Sequence, residues 1–200
     1  MRIGLFGGSF DPPHEGHLMV AHLALRRLRL DRVWWLVSPQ NPLKSKSPSH
    51  GLAARVAGVA RMADHPRFVV TGVEAQIGSR YTADTLAWLK RRMPGVRLVW
   101  IMGADNMANF HLWHGWRRIA DTMPIAVVDR PESSIPALVS PAAHALARSR
   151  VWEGAAAGLA ERTPPAWVFL HGPRVPVSST LLRNQRRRRR LESVKDAGLS

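Results

Sequence analysis

The chain predicts an α/β fold, a single doubly wound parallel sheet with helices on both faces. Three observations carry this. Strand-type and helix-type segments alternate along most of the 200 residues, and strands that alternate with helices form parallel sheets covered on either side. The length suits one domain with a sizeable core. The residues able to do chemistry fall where strands end and helices begin, which is where open parallel sheets bind ligands.

Taken in order, RIGLFGG (2–8) is a short apolar strand, and LMVAHLALRRLRL repeats its apolar residues at helical spacing, so 15–29 reads as a helix. RVWWLVSP (32–39) is a buried strand ending at proline. AARVAGVARMADH (53–65) is a helix and RFVVTGVEA (67–75) a strand. TADTLAWLKRRM (82–93) is a helix with Thr82 as its cap and Pro94-Gly95 as its stop. VRLVWIMGAD (96–105) is a long apolar strand, NFHLWHGWRRIAD (109–121) a helix, and PIAVVDRP (124–131) a strand. The Ala-, Pro- and Ser-rich stretch 131–165 has no readable period. WVFLHGP (167–173) is a last strand and SSTLLRNQRRRRRLESV (178–194) a last helix. No internal repeat appears, and too little chain follows 131–141 for a second core. The organisation expected is one Rossmann-like domain over 1–185 and a solvated basic tail over 186–200.

Cysteine is absent, which removes disulfides and cysteine metal sites. Met1 leads straight into a strand without a signal pattern, and no apolar run reaches the ~18 residues that span a bilayer. A soluble, cytoplasmic protein without a membrane partner is expected. The formal net charge is +15, with Arg186 to Arg190 an unbroken basic run. Such charge can attract nucleic acid, acidic lipid or phosphorylated small molecules. Aromatic residues are not interleaved with the arginines, which argues against a stacking platform for single strands.

The most informative stretch is GGSFDPPHEGH (7–17), a strand end, a glycine-rich turn and a helix start. Gly7 and Gly8 have no Cβ, so the backbone can turn sharply and lie close to a ligand, and Pro12 and Pro13 stiffen the approach. His14 and His17, three apart on the first turn, face the same way. Free N–H groups at a helix start favour anions, so the two imidazoles beside them make a site for a phosphate chain.

Other elements fall at the same end of the sheet. PQNPLK (39–44) offers Lys44 as a phosphate contact. SRYTADTL (79–86) gathers Tyr81, Thr82 and Thr85 around a helix start whose N–H groups can hold a small carboxylate. GADN (103–106) places Asp105 at a strand end, where a carboxylate can accept hydrogen bonds from ribose hydroxyls. FHLWHGW (110–116) puts Trp113 and Trp116 three apart on one helix face, Trp116 for the core and Trp113 for stacking on a flat heterocycle. PVSSTLLR (176–183) opens the last helix with Ser178, Ser179 and Thr180, with Arg183 one turn on, a second phosphate cradle. No carboxylate or thiol at helical spacing completes a metal site with the histidines. GGSFD lacks the spacing of a nucleophile elbow.

The HxGH element after GGSFDP resembles the nucleotidyltransferase superfamily. That element is shared with pantetheine-phosphate adenylyltransferases, cytidylyltransferases and class I aminoacyl-tRNA synthetases. The motifs taken together, in order from Gly7 to Arg183, resemble bacterial nicotinate-nucleotide adenylyltransferases. Glu132 stands where that family usually has glycine, and the basic tail is a further departure. The resemblance implies transfer of AMP from ATP to nicotinate mononucleotide, giving nicotinate adenine dinucleotide and pyrophosphate. The mononucleotide's own phosphate oxygen attacks, so no enzyme nucleophile is needed. It further implies that His14 and His17 stabilise charge on the triphosphate and that Gly8, Ser9 and Phe10 lie along the nucleotides. Ser178, Ser179, Thr180 and Arg183 would hold phosphates with Lys44, and Asp105 would take a ribose. Tyr81, Thr82, Thr85, Trp113, His114 and Arg130 would serve the nicotinate nucleotide, with Trp113 on the pyridine ring and N–H groups near Thr82 and His114 on its carboxylate. Magnesium is expected on the substrate phosphates, mainly through water. The alternatives are nicotinamide mononucleotide or phosphopantetheine as acceptor, and a nucleic-acid-binding protein on the same fold. Oligomeric state is not legible.

Overall fold

Successive side chains of a strand face opposite ways, and in this chain both directions are apolar. That pattern demands cover on both faces. The computed structural model describes residues 1–39, 50–78, 81–130 and 133–173. Among these, β1 (Arg2–Gly8), β2 (Arg32–Val37), β3 (Phe68–Thr71), β4 (Arg97–Gly103), β5 (Ile125–Val128), β6 (Arg150–Val151) and β7 (Trp167–Leu170) form one sheet. Every pairing is parallel, in the order β3-β2-β1-β4-β5-β7-β6. The helices are α1 (Glu15–Arg27), α2 (Leu52–Met62), α3 (Val73–Gln76), α4 (Thr82–Arg92), α5 (Ala104–Ala108), α6 (Trp116–Thr122), α7 (Ser134–Leu138) and α8 (Pro141–Ala145).

The alternation sorts the core into two layers. Val99, Ile101, Ala126 and Val128 point to one side, where Val20 and Ala24 of α1, Val59 of α2 and Leu159 of a 3-10 run over Glu153–Glu161 cover them. Trp100, Met102, Ile125 and Val127 point to the other, against Leu86 and Leu89 of α4, Met107 of α5, Ile119 of α6 and Ala142 of α8. The doubly wound sheet expected from the sequence is therefore present. Strand order reverses between β1 and β4, so the chain leaves their carboxyl ends in opposite directions and opens a crevice there.

Several expected boundaries shift. Gly7 and Gly8 do not form the turn. They are the last residues of β1, and the turn begins at Ser9. Gly7 is glycine because a Cβ there would stand 2.2 Å from Cη2 of Trp100. The sharp change of direction falls on Phe10, whose φ of 44° is left-handed, a conformation that costs a bulky residue energy. The strand expected over 67–75 stops at Thr71, whose Oγ1 accepts from the Val73 N–H at 3.2 Å and opens α3. The strand expected over 96–105 stops at Gly103, placing Asp105 in α5. The single helix expected over 109–121 is broken. A 3-10 turn, Phe110–Leu112, precedes α6, and Gly115 between them has a left-handed φ of 65°. Tyr81, not Thr82, is the N-cap of α4. The unreadable 131–165 contributes α7, α8, β6 and the 3-10 run. Lys44, Ser178, Ser179, Thr180, Arg183, the last helix and the basic tail lie outside the described residues.

Candidate active site

The start of α1 is built from its own histidines. His14 is the N-cap in extended conformation, one residue before the helix rather than on its first turn. Its Nδ1 accepts the Gly16 N–H at 3.1 Å, and the His14 N–H donates to Nδ1 of His17 at 3.3 Å. This reciprocal capping normally uses Ser or Thr with Glu or Gln. With imidazoles in those places it also sets their chemistry. Each Nδ1 is an acceptor, so a neutral ring carries its proton on Nε2. The two rings lie 3.7 Å apart between centroids at 32°. The His14 pKa is lowered to about 4, first by burial and then by the nearby Arg130, with Asp105 opposing them. At neutral pH His14 is therefore an uncharged Nε2–H donor. His17 is backed edge-on by the buried Phe10 ring at 5.0 Å.

Arg130 follows β5 and Asp105 lies in α5, so both sit beyond the carboxyl ends of the central strands. Arg130 Nη1 is 3.4 Å from each Asp105 oxygen, with the Arg130 side chain 13% exposed and that of Asp105 47% exposed. A Cβ on Gly16 would stand 3.0 Å from both Arg130 Nη2 and the His14 ring. Arg130, grouped by the sequence with the pyridine nucleotide, thus stands beside His14 and Asp105. One guanidinium and two ring N–H donors at the start of a 13-residue helix make an anion site.

A second wall is aromatic. The Trp100 ring lies over Gly7, and Trp113 packs edge-on against Trp100 at 6.4 Å and Phe110 at 5.6 Å. Trp113 is half-buried in the irregular segment between the 3-10 turn and α6, so it does not share a helix face with Trp116. Trp116 is also half-buried and rests on Phe110 at 5.8 Å. The turn at Gly115 sets His114 against the start of α4, where the His114 and Tyr81 rings stack at 4.1 Å and 30°. Tyr81 makes no side-chain cap, so no described side chain caps the first N–H groups of α4. Thr82 is half-buried beside them. Thr85 is buried, and its hydroxyl donates to the Tyr81 carbonyl at 3.5 Å.

Sequence reasoning misses three buried polar residues at this end of the sheet. Asp11 is buried and pairs with His50 at 2.7 Å. Asp129 is buried and accepts the Ser134 hydroxyl. Arg55 is 3% exposed and donates to four backbone carbonyls. Its signal was a cation four residues before Val59, on the buried stripe of α2.

Residues 5–185 match the family model described as cytidylyltransferase-like. The chain is 56% identical over 184 residues to a probable nicotinate-nucleotide adenylyltransferase of Bradyrhizobium sp. (strain ORS 278), covering 92% of this chain and 96% of the relative. It is 56% identical over 185 residues to the protein of that name from Methylorubrum extorquens (strain PA1), covering 92% of this chain and all of the relative. Among solved structures, Plasmodium falciparum nicotinic acid mononucleotide adenylyltransferase complexed with NaAD aligns with a TM-score of 0.68 at 16% identity, over 92% of this chain and 82% of that one. This last likeness is one of fold.

Proposed function

Because the chain belongs to the cytidylyltransferase-like family, among the nicotinate-nucleotide adenylyltransferases, we propose that the crevice between β1 and β4 is where ATP meets nicotinate mononucleotide. The protein transfers AMP from ATP to that acceptor, giving nicotinate adenine dinucleotide and pyrophosphate. The observation that carries the site is the pair of imidazoles whose Nδ1 atoms are both engaged at the start of α1. Their Nε2–H groups, with Arg130 beside them, are donors for the oxygens on which charge grows as the α-phosphorus is attacked. Catalysis is then positioning and charge stabilisation by preset donors. A neutral His14 donates without first having to gain a proton. Gly8, Ser9 and Phe10 line the nucleotides, and Asp105 takes a ribose while Arg130 holds it in place. By the family's motif, Lys44, Ser178, Ser179, Thr180 and Arg183 complete the phosphate contacts.

Magnesium would ride on the triphosphate. Among the described residues the site offers separate carboxylates rather than a cluster of three ligating side chains. That suits an ion that keeps its waters and binds substrate phosphates. When bound, it would neutralise part of the phosphate charge. Among the described residues no helix is long and apolar enough to cross a membrane, and a cytoplasmic place suits an enzyme of soluble nucleotides.

Trp113 stacks on the pyridine ring, and the N–H groups at the start of α4, beside Thr82 and His114, receive its carboxylate. A carboxylate only accepts hydrogen bonds and is favoured at the positive end of a helix. An amide would turn its own donors on those N–H groups, costing about 1–3 kcal/mol for each unmatched group. The enzyme should therefore prefer nicotinate over nicotinamide mononucleotide by roughly tenfold or more in kcat/KM, since ~1.36 kcal/mol is a factor of ten. Trp113→Ala should weaken both acceptors alike. Pyrophosphate release with each mononucleotide measures this, and equal use of the two would remove the carboxylate pocket.

The matched region ends at residue 185, before the arginine run. Truncation after Gln185 should leave turnover within about twofold of the full chain, a change too small to reflect a lost transition-state contact. A larger loss in a folded truncation would give the arginines a part in binding substrate.

A further inference from the structure

Arg55 is the most buried cation described, and the function above gives it no work. It projects from the first turns of α2. Its Nη1 donates to the carbonyls of Ser9 and Ser38, each at 2.7 Å, its Nη2 to that of Pro39 at 2.9 Å, and its Nε to that of His50 at 3.1 Å. Four carbonyls drawn to one guanidinium use its planar fork in a way that a lysine, a single point donor, cannot copy. Two of these carbonyls, those of Ser38 and Pro39, lie just past β2, while Ser9 begins the turn after β1. Burial disfavours the charged form of Arg55, and the nearby Asp11 carboxylate supports it. Asp11 in turn holds His50, so the cluster closes on itself.

The bond to Ser9 has a further effect. Ser9 and Phe10 are joined by a trans peptide, in which C=O and N–H point opposite ways. Drawing the Ser9 carbonyl toward Arg55 turns the Phe10 N–H away from α2. It also pins one end of the peptide that leads into the left-handed Phe10, a conformation that persists only where surroundings over-determine it. The Phe10 ring then supports His17 edge-on. We propose that Arg55 is a positioning residue for adenylyl transfer: by holding the Ser9 carbonyl it sets the Phe10 turn, and through it the direction of the Phe10 N–H and the placement of His17.

This rests on the adenylyltransferase reading, so wild-type turnover is the control. No wild-type turnover with ATP and nicotinate mononucleotide would sink that reading itself. Arg55→Lys keeps the buried charge but not the fork. A folded R55K should lose roughly tenfold or more in kcat with KM for both substrates changed by less than about threefold, the mark of misplaced reacting groups. In Arg55→Ala, millimolar guanidinium should restore part of kcat while methylammonium restores none. A folded R55K with wild-type kcat overturns the proposal, as does guanidinium that raises the melting temperature of R55A without restoring turnover. If neither variant folds, the wild-type protein decides by NMR. Saturating ATP should shift the Phe10 amide and the His17 ring signals, and a Phe10 amide that does not move overturns the assignment.

Discussion

Replacing His17 with alanine should lower kcat by roughly 10²-fold or more, the range for loss of one preorganised donor to a charged transition state. Alanine also removes the acceptor of the His14 N–H and the edge contact with Phe10, so a stability loss of about 1 kcal/mol accompanies it. His17→Gln separates the two effects. Glutamine at this helix position can keep the capping bond but presents no ring N–H in the imidazole's place. Its melting temperature should stay near wild type while its kcat falls with that of H17A. Steady-state pyrophosphate release and thermal unfolding on the same preparations make the comparison. Near wild-type turnover in a folded H17Q would remove His17 from the transition state and leave it a capping residue only.

Gly7→Ala should be among the most damaging single-methyl additions in the protein. The new Cβ would stand 2.2 Å from Cη2 of Trp100 and 3.0 and 3.1 Å from two further atoms of the same ring. Trp100 is 1% exposed, with Trp113 against it. Either β1 bends or the indole moves, and overpacking of this kind costs about 3 kcal/mol. For a domain this size that lowers the melting temperature by roughly 6–12 °C. Gly58→Ala is the control. Gly58 lies inside α2, and among the described residues its Cβ would meet Pro13 at an ordinary 3.6 Å; alanine in place of a helical glycine stabilises by up to about 1 kcal/mol. G58A should melt higher than wild type and G7A lower. Because Trp113 leans on Trp100, G7A should also raise KM for the mononucleotide more than KM for ATP. An unchanged melting temperature in G7A would show that the Trp100 ring can yield.

The strands at 2–8, 97–103 and 125–128 are legible in the sequence because each is a compact apolar run between turn residues. The paired histidines are legible because their neighbours already spell a strand end and a helix start. The break at Gly115 is not, since hydrophobic period records spacing and carries no sign of φ. Thr82 looks like a cap because hydroxyls favour caps, yet the helix begins on it and Tyr81 precedes it. Segments 134–138 and 141–145 are five-residue helices, shorter than the window in which a period can be seen. Arg55 escapes for another reason. Its value lies in four carbonyls from three separate stretches of chain, and only folding brings them together.

The place of β1 in the sheet also governs the order in which the molecule can be assembled. It is synthesised first among the strands yet lies inside the sheet, with β2 on one edge and β4 on the other. Its partner β2 follows within a short stretch of chain, but β4 begins only at Arg97. At ribosomal speeds of ~5–20 residues per second, the second edge stays open for roughly 5 to 20 seconds. Until Thr82 is made, Ile3 and Leu5 also lack their α4 layer, and the open edge is a template for another nascent copy. The same interior position that gives the finished enzyme its crevice leaves β1 with an unpaired edge for much of its synthesis.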